Sequence, residues 1–138
     1  MSLQEYAKQL LGRMHDFYLA TLREDGMPDI RLLSAAKADG FKTIWTITHA
    51  QYRKIEELKH DKRCAVYVTS APGEEFAELR LWGECEISTD RSLIDGIWFD
   101  GYIKRFPRGK DDPNVRVLIF HAKSGQLLTK AGLETLAF

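Results

Sequence analysis

The sequence predicts a mainly β protein with short α-helices, its six or seven antiparallel strands wound into a small closed or nearly closed barrel. Two observations carry that prediction. Residues 76–87 alternate strictly: Ala77, Leu79, Leu81, Gly83, Cys85 and Ile87 against Glu78, Arg80, Trp82, Glu84 and Glu86, one apolar and one charged face at a period of two. Residues 115–122 are apolar on both faces, the pattern of a strand covered on two sides. In so small a barrel the outside of that strand needs cover, and a second copy of the chain is the expected source.

The elements follow in order. Leu3, Tyr6, Leu10, Leu11 and Met14 share one face at helical spacing, so residues 3–14 form an amphipathic helix over one end of the sheet. Strands over 17–22 and 30–36 flank the Glu24-Asp25-Gly26 turn, and a third over 43–48 follows Asp39-Gly40, making an antiparallel meander. A short helix over about 51–59 leads to a fourth strand at 63–69, and Ala71-Pro72-Gly73-Glu74 turns into the alternating fifth. Ser88 or Thr89 caps a second helix with Leu93, Ile94, Ile97 and Trp98 on its apolar face, and the polar loop 104–114, containing RFPRGKDDPN, follows. The two-faced strand comes next, and Ser124-Gly125 turns it into a possible seventh at 126–129.

Composition narrows the function. At 138 residues with 44% hydrophobic content, the chain fits a single domain spanning 1–138 that folds without staples. Twenty basic and twenty acidic residues give a formal net charge of zero, so no global field draws the protein to nucleic acid or an anionic membrane, and any anion site must be local. Cys64 and Cys85 lie in apolar β-like runs without CxxC spacing and read as reduced core residues. No signal-length or membrane-length apolar stretch is present, so a cytoplasmic protein is expected.

Residues 43–58, TIWTITHAQYRKIEEL, carry the strongest functional signal. A β run ends in Thr48-His49 and gives way to a helix opening on Arg53-Lys54, while Arg31 lies one strand earlier in PDIRLL. A hydroxyl, the unpaired N–H groups of a first helical turn and full positive charges together make a seat for a phosphate. The competing reading of Arg53-Lys54 alone is a solvated helix face, although cations at a helix N-terminus are disfavoured without an anion. His15, His49, His60 and His121 are scattered with no metal-ligand spacing, and neither GxSxG nor HExxH is present; His49, next to Thr48, is the candidate donor or proton relay.

This order of Arg31-Leu32-Leu33, hairpin, Ile47-Thr48-His49 and Arg53-Lys54 resembles the FMN-binding split barrels of the pyridoxamine 5'-phosphate oxidase superfamily, and RFPRGKDDPN after the Trp98 helix resembles its general stress protein 26-like branch. The resemblance, over roughly residues 17–122, implies FMN in a groove at a homodimer interface. It places Arg31, Arg53 and Lys54 on the phosphate, the backbone of Leu32 and Leu33 along the flavin, and Ile47 and Thr48 against the ring or ribityl chain. Trp82 or Trp98 would either stack near the ring or serve packing. Tyr52 departs from the small hydroxyl residue common before the Arg-Lys pair, and Glu78 stands roughly where relatives often place a glutamine near the cofactor.

The expected function is an FMN-dependent oxidoreductase passing a hydride or electrons between a reduced nicotinamide or other donor and a small organic molecule, the cofactor supplying the chemistry. The alternative is a non-catalytic flavin- or haem-binding stress-associated protein. A third class, single-stranded nucleic-acid binding through the scattered aromatics, is opposed by the zero net charge.

Overall fold

In the computed structural model the description covers residues 1–13 and 16–138; Met14 of the predicted helical face and His15 lie outside it. The opening helix, α1, spans Leu3–Arg13 and buries Ala7, Leu10 and Leu11 in the barrel, with Leu3 and Tyr6 packed at the margin. Strands β1 (Asp16–Leu22) and β2 (Pro28–Ser34) form the first hairpin around the turn at Gly26, whose φ of 86° suits glycine. A short β3 (Lys37–Asp39) then pairs with β4 (Thr43–His49), and α2 (Arg53–His60) crosses to β5 (Arg63–Thr69). The alternating run is β6 (Ala77–Ser88), followed by α3 (Arg91–Ile97), 3-10 turns at Asp100–Lys104 and Gly109–Asp111, β7 (Val115–Thr129) and β8 (Gly132–Thr135).

The sheet runs β2-β1-β5-β6-β7-β4-β3, all antiparallel, with β8 added to β7. It curls until its two ends approach. There the Thr46 hydroxyl donates to the Ser34 carbonyl at 2.7 Å, and the Ala36 N–H donates to Trp45 O at 2.9 Å. Between β2 and β4 the barrel is split rather than laddered, and β2 keeps a free edge.

The strand count departs from the sequence reading. Ser124-Gly125 is not a turn: β7 runs unbroken for 15 residues, because a register shift opposite Trp82/Gly83 lets it bend and still pair with all of β6. Gly83 is required at that bend, since a Cβ would lie 1.9 Å from the His121 carbonyl oxygen.

Two apolar layers result. Leu19, Ile44, Val66, Leu79, Leu81, Leu118, Phe120 and Leu127 fill the barrel with the α1 face, Ile55 and Leu58. Ile47, Val115, Val117 and Ile119 point the other way, against Ile94, Phe106, Leu93 and Trp98. The outside of the two-faced strand is therefore covered by α3 and the 3-10 segment of the same chain. The sequence pattern was sound, but the cover it called for is intramolecular. Cys64 and Cys85 are buried free thiols with Sγ atoms 3.4 Å apart; the neighbouring Cys64 thiol and burial push Cys85 far up, so Cys85 carries no charge near neutrality.

Candidate functional site

The split holds a cleft of about 850 Å³, within the size range of small-molecule sites. The β2 edge contributes Arg31, Leu32, Leu33 and Ser34; β4 contributes Thr46, Ile47 and Thr48, with Tyr52 and Lys54 from the start of α2; the end of α3 and the segment after it contribute Ile97, Phe99, Gly101, Tyr102 and Arg105. Arg31, Leu32, Leu33, Ile47, Thr48 and Lys54 thus come together around one cavity. Arg53 stands apart, its side chain 74% exposed and 4.0 Å from Asp29.

Arg31 is held from behind. Its guanidinium donates to Leu19 O at 3.2 Å, to Thr21 Oγ1 at 2.7 Å and to Glu57 Oε1 at 2.9 Å, and it lies 3.2 Å from Asp29. Thr21 in turn donates to Glu57 Oε1 at 2.6 Å. These bonds fix the arginine while the carboxylates offset its charge. Removing the anchor with Glu57→Ala is expected to cost about 2–3 kcal/mol, because it leaves Arg31 and Thr21 without their buried acceptor. A urea-denaturation midpoint matching the wild type would show that the cluster is not what holds β1, β2 and α2 together.

Lys54 is different. It is only 5% exposed, its ammonium sits 4.5 Å above the Tyr52 ring, and among the described residues it makes no ion pair. Burial first, then the positive charges of Arg31 and Arg105, push its pKa down from 10.5 to about 8. In the same cleft the buried Thr48 hydroxyl has no hydrogen-bond partner among the described residues. A lysine ammonium, a guanidinium and an orphaned hydroxyl are the donor set of an anion seat.

The cleft is polarised along β2. Arg31 marks the cationic end, Leu32 and Leu33 the apolar stretch, and Ser34, donating to Asp16 Oδ1 at 2.9 Å, the far end. Three residues of strand separate the ends by about 10 Å. As β2 is an edge strand, half its backbone polar groups have no ladder partner. An elongated ligand with an anionic tail and a flat polar-edged head matches this order.

Other candidates fall outside the cleft. Trp98 packs in the second layer, with Tyr102 and Phe106 at ring distances of 5.3 and 6.0 Å. Trp82 and Glu78 lie on the charged outer face of β6, and Glu78 pairs with Arg80 at 3.1 Å. His49 stacks on Phe106 at 5.6 Å and accepts from the Gln51 N–H, which occupies its Nδ1 in a structural role. Phe99, Tyr102 and Arg105 were missed. The only signal in the sequence was the basic loop after the second helix, and nothing local says that it folds back over β4.

A model of the pyridoxamine 5'-phosphate oxidase family matches residues 3–129. The chain belongs to the pyridoxamine 5'-phosphate oxidase family. A protein from Clostridium acetobutylicum, related to general stress protein 26 of B. subtilis and described as of the pyridoxinephosphate oxidase family, has the same fold: TM-score 0.85, 29% identity, over 98% of this chain and 94% of that one. The general stress protein 26 of Bacillus anthracis str. Sterne matches at TM-score 0.79 and 19% identity over 99% and 100% of the two chains. The general stress protein 26-like resemblance read from the sequence is therefore met by solved structures of that description. The fold is shared with a heme binding protein from Mycobacterium smegmatis, TM-score 0.82 and 16% identity, where 99% of this chain spans 58% of that one. No curated protein matches the chain. Among the described residues no helix of this family member is long and apolar enough to cross a membrane.

Proposed function

We propose that the protein binds FMN in the split of its barrel and works as an FMN-dependent oxidoreductase on a small organic molecule. The observation that carries this reading is the buried Lys54 ammonium in the same cleft as the orphaned Thr48 hydroxyl, at the cationic end where Arg31 also lies. A phosphate monoester satisfies both groups, and the donors fit it: a guanidinium fixed by Glu57, a desolvated point charge and a hydroxyl. Leu32 and Leu33 would lie along the isoalloxazine with edge-strand N–H and C=O groups toward its pyrimidine rim, while Phe99 and Tyr102 keep water from the opposite side. FMN, when bound, would supply hydride or electron transfer, and the chain would hold and shield it.

The test is the visible spectrum after adding FMN and removing free ligand by gel filtration. Retained flavin absorbance is expected; a flat spectrum at micromolar FMN overturns the reading. Retention without NAD(P)H-driven reduction across an acceptor panel would leave a flavin carrier instead of an oxidoreductase.

The protein is further proposed to be a homodimer through the outer face of β2, β1, β5 and β6. In register there, Ile30, Ala20, Ala65 and Trp82 form one cross-strand row, and Leu32, Tyr18, Tyr67 and Arg80 the next. Ile30 is 63% exposed, Leu32 54% and Trp82 40%, so large apolar side chains stand exposed together on this face. Leu32 belongs to both this face and the cleft, so a second copy seated here would border the cofactor. Light scattering is expected to give twice the chain mass, and Ile30→Asp with Trp82→Glu to halve it; a monomeric wild type excludes this interface.

A further inference from the structure

Arg105 lies far from the phosphate motif in sequence yet lines the same cleft as Lys54, near enough for its charge to act on that lysine. It is the residue after the 3-10 turn, its N–H donating to Tyr102 O at 2.9 Å, and the next residue, Phe106, is buried in the second layer. Its backbone is therefore fixed while its side chain is exposed along the cavity. Among the described residues neither Arg105 nor Lys54 has an ion pair, whereas the Arg31 charge is offset by Glu57 and Asp29. Two like charges held in one cleft repel unless an anion lies between them.

We propose that Arg105 clasps a phosphate monoester from the 3-10 segment, together with Lys54 and Thr48, so that the bound anion ties that segment to α2. Arg105, not Arg53, is then the arginine that completes the seat with Arg31 and Lys54. The clasp selects for the terminal phosphate: a ligand lacking it keeps only the contacts of Leu32, Leu33, Phe99 and the β2 edge. The inference rests on the flavin reading for the identity of the ligand, not for the chemistry of the anion.

The experiment compares FMN with riboflavin, which differs only in lacking the phosphate, on the full chain and its Arg105→Ala, Arg105→Lys and Arg53→Ala variants. Arg105→Ala should bind FMN about tenfold to a hundredfold more weakly, the loss of one charge-assisted contact, while riboflavin affinity stays within about twofold. Arg105→Lys should recover part of the loss, and Arg53→Ala should lose less than Arg105→Ala. Amide exchange over residues 98–106 should slow with FMN and not with riboflavin. Unchanged FMN affinity in Arg105→Ala, or an equal loss for both ligands, overturns the clasp. Inorganic phosphate, read by thermal midpoint, separates the two proposals. A phosphate response in the wild type that vanishes in Arg105→Ala, without flavin binding, removes the flavin reading and keeps the clasp; no response to phosphate or flavin removes both.

Discussion

Lys54→Met is expected to weaken FMN binding about a hundredfold and, at the same time, to make the ligand-free protein more stable by about 1–3 kcal/mol at pH 7. Both effects have one cause. A lysine 5% exposed, with no ion pair among the described residues and two arginines nearby, is costly to keep charged, and a methionine of similar length fills the same space without that cost. The sign with pH follows. The folded pKa is about 8 against 10.5 ordinarily, so between those values the unfolded chain holds a proton that the folded chain has released, and the Lys54 contribution to stability rises with pH across that window. Lys54→Met should lose that rise. Ligand binding runs oppositely: phosphate favours the charged ammonium, so FMN affinity should fall as pH climbs above about 8 in the wild type and not in the variant. Denaturation midpoints at pH 7 and 9.5 and flavin-fluorescence titrations over the same range test both. A variant both less stable and equally able to bind FMN would mean that Lys54 is a packing residue.

Phe106→Ala is expected to cost about 3–5 kcal/mol, the usual penalty for emptying a buried aromatic site. The more telling expectation is where the loss falls. Phe106 is 1% exposed, stacks on His49 at an interplanar angle of 11° and touches Trp98, so it pins the 3-10 segment onto β4 and β7. The barrel interior is a separate cluster containing none of these residues. Hydrogen exchange in low denaturant should therefore show protection lost over residues 98–112 while β5 and β6 keep theirs. FMN affinity should drop as Phe99, Tyr102 and Arg105 lose their mounting. Uniform loss across the sheet would show that the two layers unfold as one.

Much of the fold was legible because its signals are local. The period of two in β6, the glycine turns at Gly26 and Gly40 and the helical spacing in α1 depend on residues a few positions apart. The unbroken β7 was not, because Ser124-Gly125 makes a turn or a bend according to what pairs beside it, and β6 holds it straight enough to continue. The same limit applied to the anion seat. Thr48, Tyr52 and Lys54 lie within a few residues of one another, so a strand end followed by a helix brings them together wherever that unit sits. Arg53 and Lys54 were equivalent as letters. On an eight-residue helix one step of rotation sends Lys54 over the Tyr52 ring and Arg53 to solvent, and only packing against the barrel chooses which.

The sequence alone determined a β-rich domain with an anion-seeking unit at the β4–α2 junction, since alternation, turns and charge spacing are properties of neighbouring residues. The tertiary structure decided that the sheet splits between β2 and β4, that α3 and the 3-10 segment cover the second face of β7, and that Arg105 lines the same cleft as Lys54. Those are contacts between residues tens of positions apart, set by which surfaces bury best together, and no local period encodes them.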